Sequence, residues 1–381
     1  MSAVGGRYQR EFDPVLLLVA VALVAFGAAL IYSGSLNTYG KPSFESFDHP
    51  VVRQAIFAAV GLTLSIVIAR FDYRTLGASA WALYVISLAL LAFVLAVGES
   101  AYGSRRWIDI AGTRVQPSEI AKLVTVVVLA RYLSDHQAQI KSLRVLLLSL
   151  GIALLPAGLV FAEPDLGSAV MFLAIWLGLV VIAGVPWRHL FGLLAFALSA
   201  VPFAMVALIS DYQRERIALW LDPQKDALGS GFNILQAEIS IGSGGLWGKG
   251  FTHGTQTQLD ILRTQTTDYV FSVLGEELGL MGALLLFALF IVLLFRGIRA
   301  AGLASDLMGR LLASGVVLLI LFQVFINIAV NVRIFPVTGI PLPFISQGGS
   351  SLVTMCIALG LVQSVLMYRK RIAFYAGDVL R

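Results

Sequence analysis

The chain is poor in charge. Only 13% of its 381 residues are Asp, Glu, Lys or Arg, 58% are hydrophobic, and mean hydropathy is +0.87. Soluble domains carry about 25% charged and about 45–50% apolar residues. A soluble fold is therefore excluded, and length does not count soluble domains here. Cysteine is nearly absent: Cys356 alone, in an apolar run, rules out an intrachain disulfide and leaves the redox compartment open. Histidine is scarce too. His49, His136, His189 and His253 show no metal-ligand spacing, and no Ser-His-Asp order can be assembled around them. The opening MSAVGGRYQREFDP holds no apolar core with a cleavage site, so the first apolar run is expected to stay as a span. The formal charge of +5 does not indicate nucleic acid, because the basic residues sit at span ends and form no single stripe. Neither an internal repeat nor a low-complexity linker marks a second soluble domain.

What is present is hydrocarbon-seeking sequence. A membrane-spanning helix needs about 20 mostly apolar residues, and candidate runs lie at 14–33, 51–69, 76–97, 118–133, 144–161, 167–185, 188–209, 269–295, 311–332 and 350–368. Helices are expected because every backbone group inside a bilayer must be satisfied within its own segment. The fold class is thus an all-α integral membrane protein of ten spans, one polytopic domain over residues 1–381. The fourth span is the weakest, interrupted by Glu119, Lys122 and Thr125. Pro156 and Pro202 are expected to kink the fifth and seventh.

Orientation follows Lys and Arg near the ends of short loops. With both termini inside, 15 of the 27 basic residues lie on inner segments and seven on short outer ones. Both termini are therefore expected in the cytoplasm, with the loops 98–117, 163–165, 211–267 and 333–349 outside. The outer side still holds Arg105, Arg106, Arg114 and Lys122 close together. Glu119 and Lys122 share a helix face, as a self-satisfied pair or as part of a cationic groove for a phosphate-bearing headgroup. The groove is favoured because several other outer charges can converge on it.

The stretch Gly229–Gly282 stands apart: a polar, Gly-rich insert that runs at Asp268 into an apolar helix bearing Glu276 and Glu277. Its run IGSGGLWGKG lacks phosphate-loop spacing, so its glycines are expected to let backbone approach backbone or a headgroup. Asp268 opens the eighth span at the water–lipid boundary. There a carboxylate can act as general base, or simply cap the helix. Asp165 follows a proline at the mouth of the sixth span, where an Asp caps a helix. Glu276 and Glu277, roughly 12–14 Å further along by helical rise, are expected to pair structurally. A divalent cation, Mg²⁺ or Mn²⁺, held by carboxylates and a pyrophosphate stays open.

Five motifs in order, GSRRWIDIAGTRVQPSEIAK (103–122), EPDLGSA (163–169), GFNILQAEISIGSGGLWGKG (231–250), TDYVFSVLGEELGLMG (267–282) and FPVTGIPLPFISQGGSS (335–351), resemble those of the SEDS family (shape, elongation, division and sporulation). Its RodA branch is closer than its FtsW branch, and the resemblance covers nearly the whole chain. It implies a peptidoglycan glycosyltransferase that polymerises lipid II at the outer face of the plasma membrane during elongation and shape maintenance, releasing undecaprenyl pyrophosphate. A class B penicillin-binding protein is the implied partner. The resemblance puts the essential aspartate on Asp268, and substrate-binding groups on Arg106, Glu119, Lys122, Asp165, Gln236, Lys249, Ser346 and Gly348. Where the family commonly reads LPEQHTDF, residues 262–269 read LRTQTTDY, and Gln347 replaces a Tyr. Two alternatives keep the same architecture: a lipid II flippase, which needs polar residues through the inner half of the bilayer, and a scaffold that only recruits the transpeptidase.

Overall fold

The computed structural model describes residues 12–42, 48–101, 104–110, 113–207, 211–226, 229–262 and 264–369. Six of the 27 basic residues counted above, Arg7, Arg10, Arg263, Lys370, Arg371 and Arg381, lie outside them. Each expected span is a helix: α1 Pro14–Tyr39, α2 Pro50–Ala69, α3 Ala80–Val97, α4 Pro117–Asp135, α5 Leu143–Ala162, α6 Leu166–Ala183, α7 Trp187–Ala207, α8 Val270–Gly302, α9 Leu307–Asn331 and α10 Gly349–Tyr368. Among the described residues, eight are long and apolar enough to cross a membrane; α4 and α7 are the other two. For α4 the cause is the expected one, since Glu119, Lys122, Arg131 and Asp135 lie within it. Large apolar side chains such as Leu18, Phe93, Leu155, Ile291 and Phe325 point outward, as lipid-facing residues do. The chain is a multi-pass membrane protein.

Local chemistry starts these helices. Pro14 and Pro50 take first-turn positions, where a missing N–H costs nothing, while Asp13 accepts from Val15 and Leu16 N–H and His49 from Val51 N–H. Asp306 does the same for α9 through Gly309 N–H at 2.7 Å. The centre of the bundle is formed by α9 and α10: nearly all of α10 from Ser351 to Tyr368 is buried, with α2 along one side and α9 along another. At the end away from the cavity described below, charged pairs tie the elements together. Arg296 meets Asp13 and Arg74 meets Asp306.

Two features depart from the expected pattern. The loop after α3 forms a three-stranded antiparallel sheet: β1 Glu99–Ala101, β2 Ser104–Ile110 and β3 Thr113–Val115. The insert before α8 is largely helical, with segments at Asp211–Leu221, Ser230–Gly244 and Thr255–Gln258. Helical assignment continues across Pro156 and position 202. The interruption falls in α8 at Gly279 (φ +60°), a non-helical conformation. The Gly-rich run fills that break with main chain: Leu280 and Met281 N–H donate to the Gly245 and Leu246 carbonyls, and Lys249 and Gly250 N–H donate to the Glu276 and Glu277 carbonyls. A Cβ on Gly279 would collide with Gly245 and Gly248 backbone atoms, and one on Gly248 with the Glu277 carbonyl. These glycines bring backbone to backbone.

Candidate active site

At one end of the bundle lies a cavity of about 930 Å³. Its walls come from α2 (Arg53, Gln54, Phe57), from β2 and the approach to α4 (Arg106, Trp107, Asp109, Arg114, Gln116), from the insert (Glu215, Arg216, Asn233), from the turn Thr264–Tyr269, and from residues 337–351. Segments far apart in sequence thus converge, bringing Arg53, Arg106, Arg114 and Arg216 to one space. Guanidinium groups suit a phosphate-bearing ligand, since their planar forks match its oxygens.

Asp268 stands in this wall, and its carboxylate is not used as a cap. The residue before α8 is Tyr269, which makes no side-chain cap. The peptide of Asp268 is held from behind instead, its carbonyl accepting from Asn331 Nδ2 at 2.9 Å and Asn327 Nδ2 at 3.2 Å. Asn331 Oδ1 accepts from Ser272 N–H and Oγ–H, and Asn327 Nδ2 also reaches the Ile340 carbonyl. Ser346 secures the other side of the turn by donating to the Thr267 carbonyl at 2.5 Å while accepting from Leu342 N–H. Gln347 N–H donates to the Thr266 carbonyl, and Thr266 Oγ1–H to Gln347 Oε1. The backbone is fixed on three sides and the carboxylate lines the cavity. Burial pushes that carboxyl above its ordinary range, against the pull of the Arg216 and Arg106 charges.

Arg106, 8% exposed, is aimed by Asp165 at 3.3 Å. Asp165 also accepts from Gln116 Nε2 and from Ser168 N–H, so it is both the cap of α6 and the anchor of the guanidinium. Between Arg106 and Asp268 lies Gly339 (φ +72°): a Cβ there would sit 3.5 Å from Arg106 Nη1 and 4.0 Å from Asp268 Oδ2. Glycine meets both the left-handed backbone and the need for open space between cation and carboxylate.

A family model covering the FtsW, RodA and SpoVE cell cycle proteins matches residues 14–371. The chain belongs to the FtsW/RodA/SpoVE family. The peptidoglycan glycosyltransferase MrdB of Escherichia coli strain K12 is 38% identical over 363 residues, 95% of each chain. Stage V sporulation protein E of Bacillus subtilis is 37% identical, covering 94% of this chain and 98% of that one. Among solved structures, a chain of a peptidoglycan synthase complex that coordinates polymerisation and crosslinking superposes with TM-score 0.77 at 34% identity, over 94% and 98% of the two chains. The rod shape determining protein RodA of Thermus thermophilus superposes with TM-score 0.68 at 32% identity, over 94% and 97%.

For this FtsW/RodA/SpoVE member, the cavity gathers Asp268, Arg106 and Gly348 of the residues expected from sequence, with Asp165 and Ser346 directly behind. Others lie elsewhere. Lys122, wholly buried, donates to Glu119 Oε1 at 2.8 Å, and Gln323 Nε2 donates to Glu119 Oε2. That is the self-satisfied pair, and neither residue lines the cavity. Lys249 donates to Glu276 Oε1 and Thr255 Oγ1, both at 2.7 Å. Gln236 lies on the helix Ser230–Gly244, whose Asn233 and Ile234 form the lining. Glu276 and Glu277 are structural: the first also accepts from Gln256 N–H and Thr257 N–H, the second from Ser33 Oγ and Thr252 N–H.

Sequence reasoning missed Asn327 and Asn331. With Gln323 they recur every fourth residue on one face of an apolar span, a signal that marks an interior polar stripe. Among the described residues no three His, Cys, Asp or Glu side chains gather as a metal-ligand set.

Proposed function

We propose that the cavity is the glycosyl-transfer site for lipid II, with Asp268 as general base. Peptidoglycan glycosyl transfer in cell-wall synthesis is the activity of this chain, carried by its family and by the full-length likeness to MrdB. Asp268 takes the proton from the 4-hydroxyl of the acceptor N-acetylglucosamine. The freed oxygen attacks C1 of the donor N-acetylmuramic acid as the bond to undecaprenyl pyrophosphate breaks, with inversion at C1. Arg106 and the neighbouring arginines receive the charge that grows on the leaving pyrophosphate, where fixed donors in a water-poor site are most effective. One carboxylate suffices, because pyrophosphate departs without the protonation a sugar alcohol needs.

The observation that carries this reading is the Asp268 carboxylate set across Gly339 from Arg106, its own backbone held by two asparagines and Ser346. Sidedness follows the charge distribution: both termini are cytoplasmic, and the cavity with residues 98–117 and 211–267 faces outward. A class B penicillin-binding protein is the partner, supported by the likeness to a chain from a complex that couples polymerisation to crosslinking, and RodA-type elongation is the process served. The test is polymerisation of lipid II by purified protein co-expressed with that transpeptidase, with Asp268→Asn and Asp268→Ala beside wild type. Loss of glycan chains with the fold intact supports the reading. Retained polymerisation refutes it.

A further inference from the structure

Beside the Arg106–Asp165 pair lies a second carboxyl group that the transfer step does not use. Glu163 terminates α5 two residues before Asp165, and its N–H is bonded to the Leu159 and Val160 carbonyls. The residue is 2% exposed, and its Oε1 is buried without a hydrogen-bond partner among the described residues. The charged groups that act on it are Asp165 in its own turn and Arg106 on β2. Gln116, ahead of α4, and Ser168, on α6, are committed to Asp165. Two acids thus stand near one guanidinium, and Asp165 forms an ion pair with it.

We propose that Glu163 is a protonation-dependent positioning residue: as the neutral acid it leaves Arg106 to Asp165 and the cavity, and as the carboxylate it draws the guanidinium inward and weakens binding of the anionic substrate. Burial, reinforced by the Asp165 charge, pushes its carboxyl up to about 8, so the neutral form prevails at neutral pH and the change falls just above it. This inference rests on the reading of the cavity as the lipid II site.

The test is the KM and kcat of lipid II polymerisation from pH 7 to pH 9, for full-length wild type and Glu163→Gln, each with the transpeptidase. If binding needs the neutral acid, KM of wild type rises about tenfold over that interval while kcat follows the Asp268 base. Glu163→Gln, a permanent mimic of the neutral acid, keeps the pH 7 KM and loses the rise. A flat wild-type KM, or the same rise in Glu163→Gln, overturns the proposal. Melting temperatures give a second readout. The fold binds this proton more tightly than the unfolded chain does, so wild type loses stability relative to Glu163→Gln as pH climbs from 5 to 8; parallel curves also overturn it. Polymerisation that survives Asp268→Asn instead refutes the site assignment, whatever the Glu163 profiles show.

Discussion

Asp268 and Glu276 lie eight residues apart in one motif, yet their surroundings are opposite. Every oxygen of Glu276 is engaged, by Lys249, Thr255, Gln256 and Thr257, in a closed pocket. Around Asp268 the contacts go to the backbone: two asparagines hold its carbonyl and Ser346 holds the preceding one, while the carboxylate faces a cavity lined by arginines. A carboxylate whose acceptors are all filled by its own chain is part of the scaffold. One whose backbone is pinned and whose side chain is left to a cavity is placed to act.

The contrast can be broken by substitution. Asp268→Asn is expected to lower kcat by about 10²–10⁴-fold, the usual worth of a general base, with the melting temperature unchanged. Because burial raises that carboxyl, the wild-type rate should climb with pH to a limb above the ordinary carboxylate range, and the limb should vanish in the variant. Glu276→Ala should act oppositely, costing about 3–5 kcal/mol of stability by stranding a cation and several donors, read as an early unfolding transition. Gly339→Ala introduces about 1–2 kcal/mol of left-handed strain and a methyl group between Arg106 and Asp268; KM for lipid II should rise about tenfold. The smallest effect on substrate belongs to Lys249→Met, which leaves the buried Glu276 carboxylate to its neutral donors and so costs about 3 kcal/mol of stability. Its KM should stay at the wild-type value. A raised KM there would return Lys249 to substrate binding and erase the distinction between the two acids.

Much of this was legible in the sequence. Ten helices follow from run length, because lipid imposes one solution on the backbone, and the weakness of the fourth follows from its charges. Asp268 was legible as an acid at a boundary. Residue identity could not tell an open cationic groove from a closed Glu119–Lys122 pair, because a spacing of three serves both. Only the position of Gln323 and the complete burial of Lys122 decide it. The sheet at Glu99–Val115 escaped because its strands are short and rich in charge, so hydropathy sees only a polar loop. The arginines at 53, 114 and 216 come from three separate segments, and nothing local records that they meet.

The break at Gly279 has a mechanical consequence. Because Gly245–Gly250 is stitched by main chain into α8, that part of the insert is a fixed root that travels with the helix as one body. The preceding helix Ser230–Gly244, which carries Asn233, packs against α8 and is tied beyond α9 by the Glu238–Arg333 ion pair. Asn233 on that helix and Asp268, anchored to α9, are therefore held in one body.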